Sequence, residues 1–543
     1  MTEPSNLRME YDPTFSIRPD TGENCTPAVA AALAACRARG SRKLIFPPGT
    51  YDFHEAGATE RYAFISNNDS GCKRVVFALD GLEDFTLEGT GAQFVFHGRI
   101  NPFLAGRCRG LTLRGFSVDF ARSFITPGDV LAVGTDWMAL QLPADASYRI
   151  HDGRIDFFED PRVAPRPYIN FMEYDTARRE VRHDTTDCYF TNCAREIEPG
   201  KVRFEGVERP PRADATVVMK HELRAHPAIA LDECRDVRIE QVTIHHSCGM
   251  GVIAQNCADL TLAGFRVTLP PGSDRLVSTS DDATHFVNCR GHILMENCVF
   301  EHHWDDATNV HGIYRRLRRR GVGQPFLFLE AGHYQQLGVE IAAPGETLEF
   351  VDRNTLLTYH EAKVKAIMPL TPQITRVEFY GALPDRFRDG DAAASLDRTP
   401  SLTVRNCVVR NNKPRGLLVT TPQNVLIENN RFHTAGAAIY ISGDANFWFE
   451  SGGVKNVVIR GNTFDNCNYM KNATGRAVID IAPEIAPEYR SAGNYHGCVR
   501  IEQNVFRTFQ PGDRGLIQAH SIAQLDASDN RIEPTRDYPA YGT

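Results

Sequence analysis

The chain has 543 residues, 42% apolar and 24% charged, so it can bury a large core and is too hydrophobic to stay disordered. A net charge of −8 argues against nucleic acid as a main partner, because phosphate binders normally present a basic face. No stretch approaches the roughly 18 consecutive apolar residues of a membrane-spanning helix, so no membrane partner is expected either.

In chain order, the start MTEPSNLRMEYDP lacks a charged-then-apolar signal pattern. The expectation is a cytoplasmic protein, or an exported one from which a targeting segment has been removed. NCTPAVAAALAACRARG reads as a short helix, with Thr26 as N-cap, Pro27 at the first helical position and Gly40 as the stop. KLIFPPGTYDF, from Lys43 to Phe53, reads as strand, tight turn and strand. A lone helix followed by PPGTY resembles the N-terminal cap of right-handed parallel β-helices, which covers an otherwise open core.

An eight-residue phrase then recurs: LTLRGFSV from Leu111, VRIEQVTI from Val237, LTLAGFRV from Leu260 and ILMENCVF from Ile293. It returns as LTVRNCVV from Leu402, VLIENNRF from Val425, VVIRGNTF from Val457, VRIEQNVF from Val499 and LDASDNRI from Leu525. Positions one, three and eight are mostly apolar, a strand-like alternation rather than a helical one. Position six is Cys298 and Cys407, then Asn430, Asn462, Asn504 and Asn530, which predicts an amide ladder along one corner of a stack. The fold class is therefore all-β: a parallel β-helix with an N-terminal capping helix. Its fourteen cysteines sit largely in or beside apolar strands, as in Cys234, Cys257 and Cys289, and read as buried free thiols. No Cys/His grouping has zinc spacing, so neither a metal nor a cofactor is expected.

Two long segments lack the phrase and carry other β-rich patterns, each long enough for a small inserted β-barrel or sandwich. The division expected is cap and first coils over 1–120, an inserted β-domain over 121–230, central coils over 231–312, a second inserted β-domain over 313–399, and C-terminal coils over 400–543. The basic run RRLRRR, from Arg315 to Arg320, reads as a solvated loop or strand end.

The central coils repeat a second feature. DDAT occurs at Asp281 and again at Asp305, 24 residues apart, which is one coil. With the phrases in register, and the extra residues of TLPPGSDRLVSTS set aside, one vertical row holds Met250, Asp282, Asp306, Arg415 and Ala438. Coils lie about 4.8 Å apart, so two carboxylates and a guanidinium should stand one above another. Like charges that close are unfavourable unless one is protonated or neutralised. Such a group suits glycoside hydrolysis, where one carboxyl must hold a proton while another stays ionised. Repulsion from Asp305 and Asp306 should raise the pKa of Asp282, and Arg415 should keep Asp306 charged. Clustered carboxylates also bind calcium, a competing explanation disfavoured by the neighbouring His285, Asn309 and Arg415.

DATHFVNCRG (from Asp282), DDATNVHG (Asp305), RNNKPRGLLVTTP (Arg410) and GDANFWFESGG (Gly443) resemble glycoside hydrolase family 110 over about residues 20–530. The resemblance implies an exo-acting enzyme that releases terminal α-1,3-linked galactose from blood-group-B-type or linear α-galactosyl glycans, with inversion. It implies Asp282 as general acid, with Asp305 and Asp306 together positioning and deprotonating water. Trp448 is a candidate to stack on galactose. Asp444, Asn446 and Glu450 either bind hydroxyls or close a turn. Asn309 and His311 alternate with Val310 and share a face, and Trp304 is a candidate cleft wall. Arg415 completes the expected substrate-binding set, and the oligomeric state is not legible. The alternatives are a polygalacturonase-like β-helix glycosidase on another polysaccharide, or a non-catalytic glycan-binding β-helix protein. The former would want an Arg-x-Lys motif near the acids, and none is present.

Overall fold

The repeated phrase builds the scaffold. In a computed structural model describing residues 17–158, 170–221, 224–318, 325–381, 383, 387–471, 475–509 and 515–538, three long sheets of eleven, twelve and eleven strands run side by side. They stack the chain coil upon coil in parallel register, apart from the antiparallel additions Thr59–Ala63 and Glu450–Ser451. Phrase positions one and three lie in one outer sheet and position eight in the other. Val237, Ile239 and Ile244, then Leu260, Leu262 and Val267, and their equivalents as far as Val499, Ile501 and Phe506 are buried in one continuous core, whereas Leu525 and Ile532 of the last copy are exposed. Between the two sheets the chain must turn a corner, and position five does it. Gly115, Gln241, Gly264, Asn297, Asn406, Asn429, Gly461, Gln503 and Asp529 all have φ between 53° and 82°. Glycine and asparagine tolerate that left-handed conformation best, which explains their recurrence there.

The amide ladder forms as expected. Asn430 donates its backbone N–H and its Nδ2 to Asn462 Oδ1 (2.9 and 3.0 Å), and Asn462 does the same to Asn504. Asn504 in turn donates to Asn530, and Cys407 N–H starts the series on Asn430 Oδ1. All fourteen cysteines are free, most of them buried.

Helix α1 (Thr26–Arg39) covers the N-terminal end through Val29, Ala32, Leu33 and Cys36, and Gly40 closes it at φ 67°. Thr26 is not its N-cap. Its hydroxyl donates to His54 O, while Asn24 Oδ1 accepts the Thr26 N–H, so the capping oxygen comes from two residues earlier. No helix of the described residues is long and apolar enough to cross a membrane.

The first insertion is a seven-stranded antiparallel sheet running from Ile125–Val133 to Thr216–Lys220. Pairing of Asn170–Asp175 with Thr216–Lys220 joins the far parts of its path. The second is a closed six-stranded barrel from Arg315–Arg318 to Ala392–Ser395, filled by Leu348, Phe350, Val364 and Val377. The basic run is thus partly a barrel strand rather than a solvated loop. Arg315 is buried and donates to Gln336 O and Val339 O, and burial lowers its pKa to about 10; Arg319 and Arg320 lie outside the described residues. The first insertion returns just ahead of the middle sheet, and the second leaves from the end of one of its strands. Both therefore flank the face where the DDAT segments lie.

Candidate active site

Five strands of the middle sheet carry the site: β1 (Val252–Gln255), β2 (Thr284–Val287), β3 (Thr308–Ile313), β4 (Leu417–Val419) and β5 (Ile439–Ile441). Val252 pairs with Thr284, Thr284 with Thr308, Thr308 with Leu417, and Leu417 with Ile439. Two residues ahead of these lie Met250, Asp282, Asp306, Arg415 and Ala437. The row is the expected one except at its end, where Ala437 replaces Ala438. Leu402 pairs with Val425 while Leu417 pairs with Ile439, so the chain between those sheets is one residue shorter in the later coil. Backbones approach closely beside the row: a Cβ on Gly416 would lie 2.3 Å from Ala438 O.

Carboxylate oxygens of Asp282, Asp305 and Asp306 lie within 4.8 Å of one another. Asp282 and Asp306 are 1% and 2% exposed, whereas the Asp305 side chain is 23% exposed. Arg415 grips Asp306 with two hydrogen bonds of 2.8 Å and lies under the Tyr440 ring. Arg224 bonds Asp305 Oδ2 at 2.7 Å and Asp281 Oδ1 at 3.0 Å, and Lys220 adds a 2.6 Å bond to Asp281. Four acids thus face three cations, since nearby Lys413 is taken by Asp187. That imbalance calls for one protonated carboxyl.

Burial, then the charge of Asp305, pushes Asp282 well above the usual carboxylate range. Asp305 goes the other way: Arg224, then Arg415, overcome its burial and hold it below that range. Asp306 departs from expectation. Burial outweighs the pull of Arg415, and Asp305 and Asp282 add to the rise, so Asp306 also sits well above the range. Asp282 and Asp306 therefore compete for the proton.

A chain of hydrogen bonds behind Asp282 favours it in that competition. Gly312 O can only accept, so His311 Nδ1, 2.7 Å away, donates to it. In the arrangement where His311 Nε2 accepts from His285 Nε2–H at 2.9 Å, His285 Nδ1 is left as an acceptor. Its partner, Asp282 Oδ2 at 2.5 Å, carries the proton in that arrangement. Burial, then His311, holds His285 well below its ordinary pKa, in keeping with a neutral ring. Asp282 Oδ1, also buried, has no hydrogen-bond partner among the described residues.

The other expected residues divide. Trp448 is 42% exposed, with the Arg224 guanidinium 6.0 Å from its ring. Asn446 is exposed and bonds Arg353 O on the second insertion. Asp444 closes the turn rather than facing a sugar: its carboxylate accepts the N–H groups of Asn446, Phe447, Trp448 and Phe449. Glu450 accepts from Asn309 Nδ2 at 3.1 Å, and both are largely buried. His311 is fully buried and contacts His285 rather than an open surface. Trp304 is not a cleft wall. It is 3% exposed and stacks on Tyr174 of the first insertion, because that insertion covers the outer face of its coil.

Arg224, Lys220 and Asp281 were not among the expected site residues. The two cations lie where the first insertion rejoins the helix, far from the acids in sequence and outside the repeat, so register could not place them. Arg224 has φ 44°, an uncommon conformation for a bulky residue.

A parallel β-helix that gathers acids whose pKa values are pushed in opposite directions, between two inserted β-domains, has the makings of a glycosidase. The family models for GLAA-B β-barrel domain I and GLAA-B β-barrel domain II match residues 127–213 and 327–393, and one for a right-handed β-helix region matches 392–505. The chain is 34% identical to an α-1,3-galactosidase A of Shewanella woodyi, over 97% of this chain and 86% of that protein. It is 31% identical to an α-1,3-galactosidase B of Bacteroides thetaiotaomicron over the same shares, and 34% identical to one of Phocaeicola vulgatus over 97% and 90%. The chain belongs to this family of α-1,3-galactosidases, glycoside hydrolase family 110.

Proposed function

We propose that this protein releases terminal α-1,3-linked galactose from glycans, with Asp282 as the proton donor to the leaving oxygen. The observation that carries the reading is a buried Asp282 hydrogen-bonded to His285, with His311 behind it, beside an Asp305 ion-paired to Arg224. Asp305 and Asp306 orient and deprotonate the attacking water, Asp305 supplying the charge and Arg415 fixing Asp306. Water's oxygen bonds to the anomeric carbon as the glycosidic bond breaks. The Asp282 proton leaves its hydrogen bond to His285 and goes to the departing oxygen, and the water proton goes to the Asp305–Asp306 side. Trp448 offers its face to the apolar side of galactose. The names of the relatives favour neither a polygalacturonate substrate nor a non-catalytic binder.

Family membership supports inversion. The carboxylate spacing pulls the other way: oxygens within 4.8 Å are closer than the roughly 6.5–9.5 Å usual for inverting pairs. NMR of the first sugar released from galactosyl-α-1,3-galactose decides both points. β-Galactose appearing first supports the proposal, α-galactose first overturns inversion, and no galactose overturns the activity. Comparing linear with fucose-branched substrates then places the enzyme among blood-group-B-type or linear α-galactosyl glycans.

A second reading makes Asp305 the donor, because it alone of the three acids has an open side chain. Its ion pair with Arg224 opposes that role.

A further inference from the structure

Three large aromatic side chains stand exposed near the Arg224 that holds Asp305: Phe447 at 64%, Tyr334 at 52% and Trp448 at 42%. They come from two segments that are far apart in sequence and meet there. The His333 ring links them, 4.6 Å from Tyr334, 5.0 Å from Trp448 and 6.4 Å from Phe447 between centroids. Exposed aromatic surface gathered in one place marks a binding surface more often than a packing accident.

The frame holding these rings is rigid. Asp444 clamps the turn from below through the backbone of residues 446–449. Gln336 Nε2 donates to Trp448 O at 2.9 Å and ties the two segments together, while Arg315 holds Gln336 O at 2.8 Å. Phe449 is buried as the anchor of the turn, and its ring fills the space over Gly332, where a Cβ would come within 2.3 Å of the ring. Rings fixed before a ligand arrives lose little freedom on binding.

The rings also cannot serve a single sugar. Phe447 and Trp448 are 4.9 Å apart and perpendicular, at 89°, so one pyranose cannot lie flat on both. Trp448 is the inner surface, next to the Arg224 that holds Asp305. Phe447 and Tyr334 are more open and remain without a role once galactose occupies Trp448. An exo-acting enzyme places the terminal sugar against the acids, so the rest of the glycan must leave through the mouth.

We propose that Phe447 and Tyr334, linked through His333, form a second sugar-binding surface that takes the sugar from which galactose is cleaved, stacking on its C–H face. The inference rests on the galactosidase reading above and adds the leaving side of the substrate to it. Phe447→Ala and Tyr334→Ala should be assayed on galactosyl-α-1,3-galactose and on α-galactosyl fluoride, which has no second sugar. The ratio of kcat/KM for disaccharide over fluoride should fall by roughly fivefold to tenfold in each, as lost aromatic stacking would give. Phe447→Tyr, which keeps the ring, should restore the ratio. An unchanged ratio in both alanine variants, including one produced by equal losses on the two substrates, overturns the second surface. Wild-type enzyme that releases galactose from neither compound removes the galactosidase reading, and this one with it.

Discussion

Two polar columns run through the same stack, and they behave oppositely. The asparagine column, Asn430 to Asn530, satisfies itself. Each member before Asn530 gives two hydrogen bonds to the next, and the same geometry repeats each coil. The acid column cannot do this, because carboxylates only accept and repel each other. It draws Arg224 from the return of the first insertion and Arg415 from the next coil, takes His285 from its own strand, and still leaves Asp282 Oδ1 without a partner. A repeat that closes on itself is structure. One that must import its neighbours, and remains incomplete, is chemistry.

The largest expected effect separates the columns outright. Asp282→Asn should cut kcat on the disaccharide by roughly 10³-fold. Its amide can still donate to His285, so thermal melting should change little. A variant that keeps wild-type turnover would return the acid column to scaffold. Arg415→Met should move both readouts. Asp306 then loses both of its Arg415 hydrogen bonds in a buried site, at a cost of about 2 kcal/mol in chemical denaturation, together with lost turnover.

Asn462→Ala is the mirror case. It strands two donors of Asn430 and the carbonyl of Ile427, and should lower stability by about 2 kcal/mol while leaving kcat/KM unaltered. A fall in kcat/KM without a fall in stability would blur the contrast between the columns. The smallest effect concerns pH. Activity needs Asp305 ionised and Asp282 protonated, so it should fall at low pH through the depressed pKa of Asp305 and at high pH through the raised pKa of Asp282. His285→Gln weakens the acceptor that favours protonated Asp282, and should bring the alkaline limb down by roughly one unit. An unmoved limb would show that His285 only packs.

Much of this was legible in the repeat. The spacing of the phrases predicts the stack, the asparagine ladder and the row that brings Asp282 onto Asp306, because parallel coils convert sequence register directly into contact. Phrase position five carried a further signal, Gly, Asn, Gln or Asp in every copy, that marks the left-handed corner. Illegible were the features that the register does not govern. Arg224 and Lys220 reach the acids from an inserted domain, Trp304 is buried by that same domain, and the high pKa of Asp306 comes from depth, which spacing does not encode. His311 was placed on the right face, but that face points into protein at its position.

The assignment of the proton to Asp282 is tested most directly by Asp282→Asn and Asp305→Asn on two substrates, galactosyl-α-1,3-galactose and α-galactosyl fluoride. Fluoride departs with little need of an acid. Asp282→Asn should therefore lose roughly 10³-fold on the disaccharide while staying within about tenfold of wild type on the fluoride. Asp305→Asn should lose activity on both. The reverse pattern, with Asp305→Asn spared on the fluoride and Asp282→Asn inactive on both, would contradict the account and make Asp305 the donor.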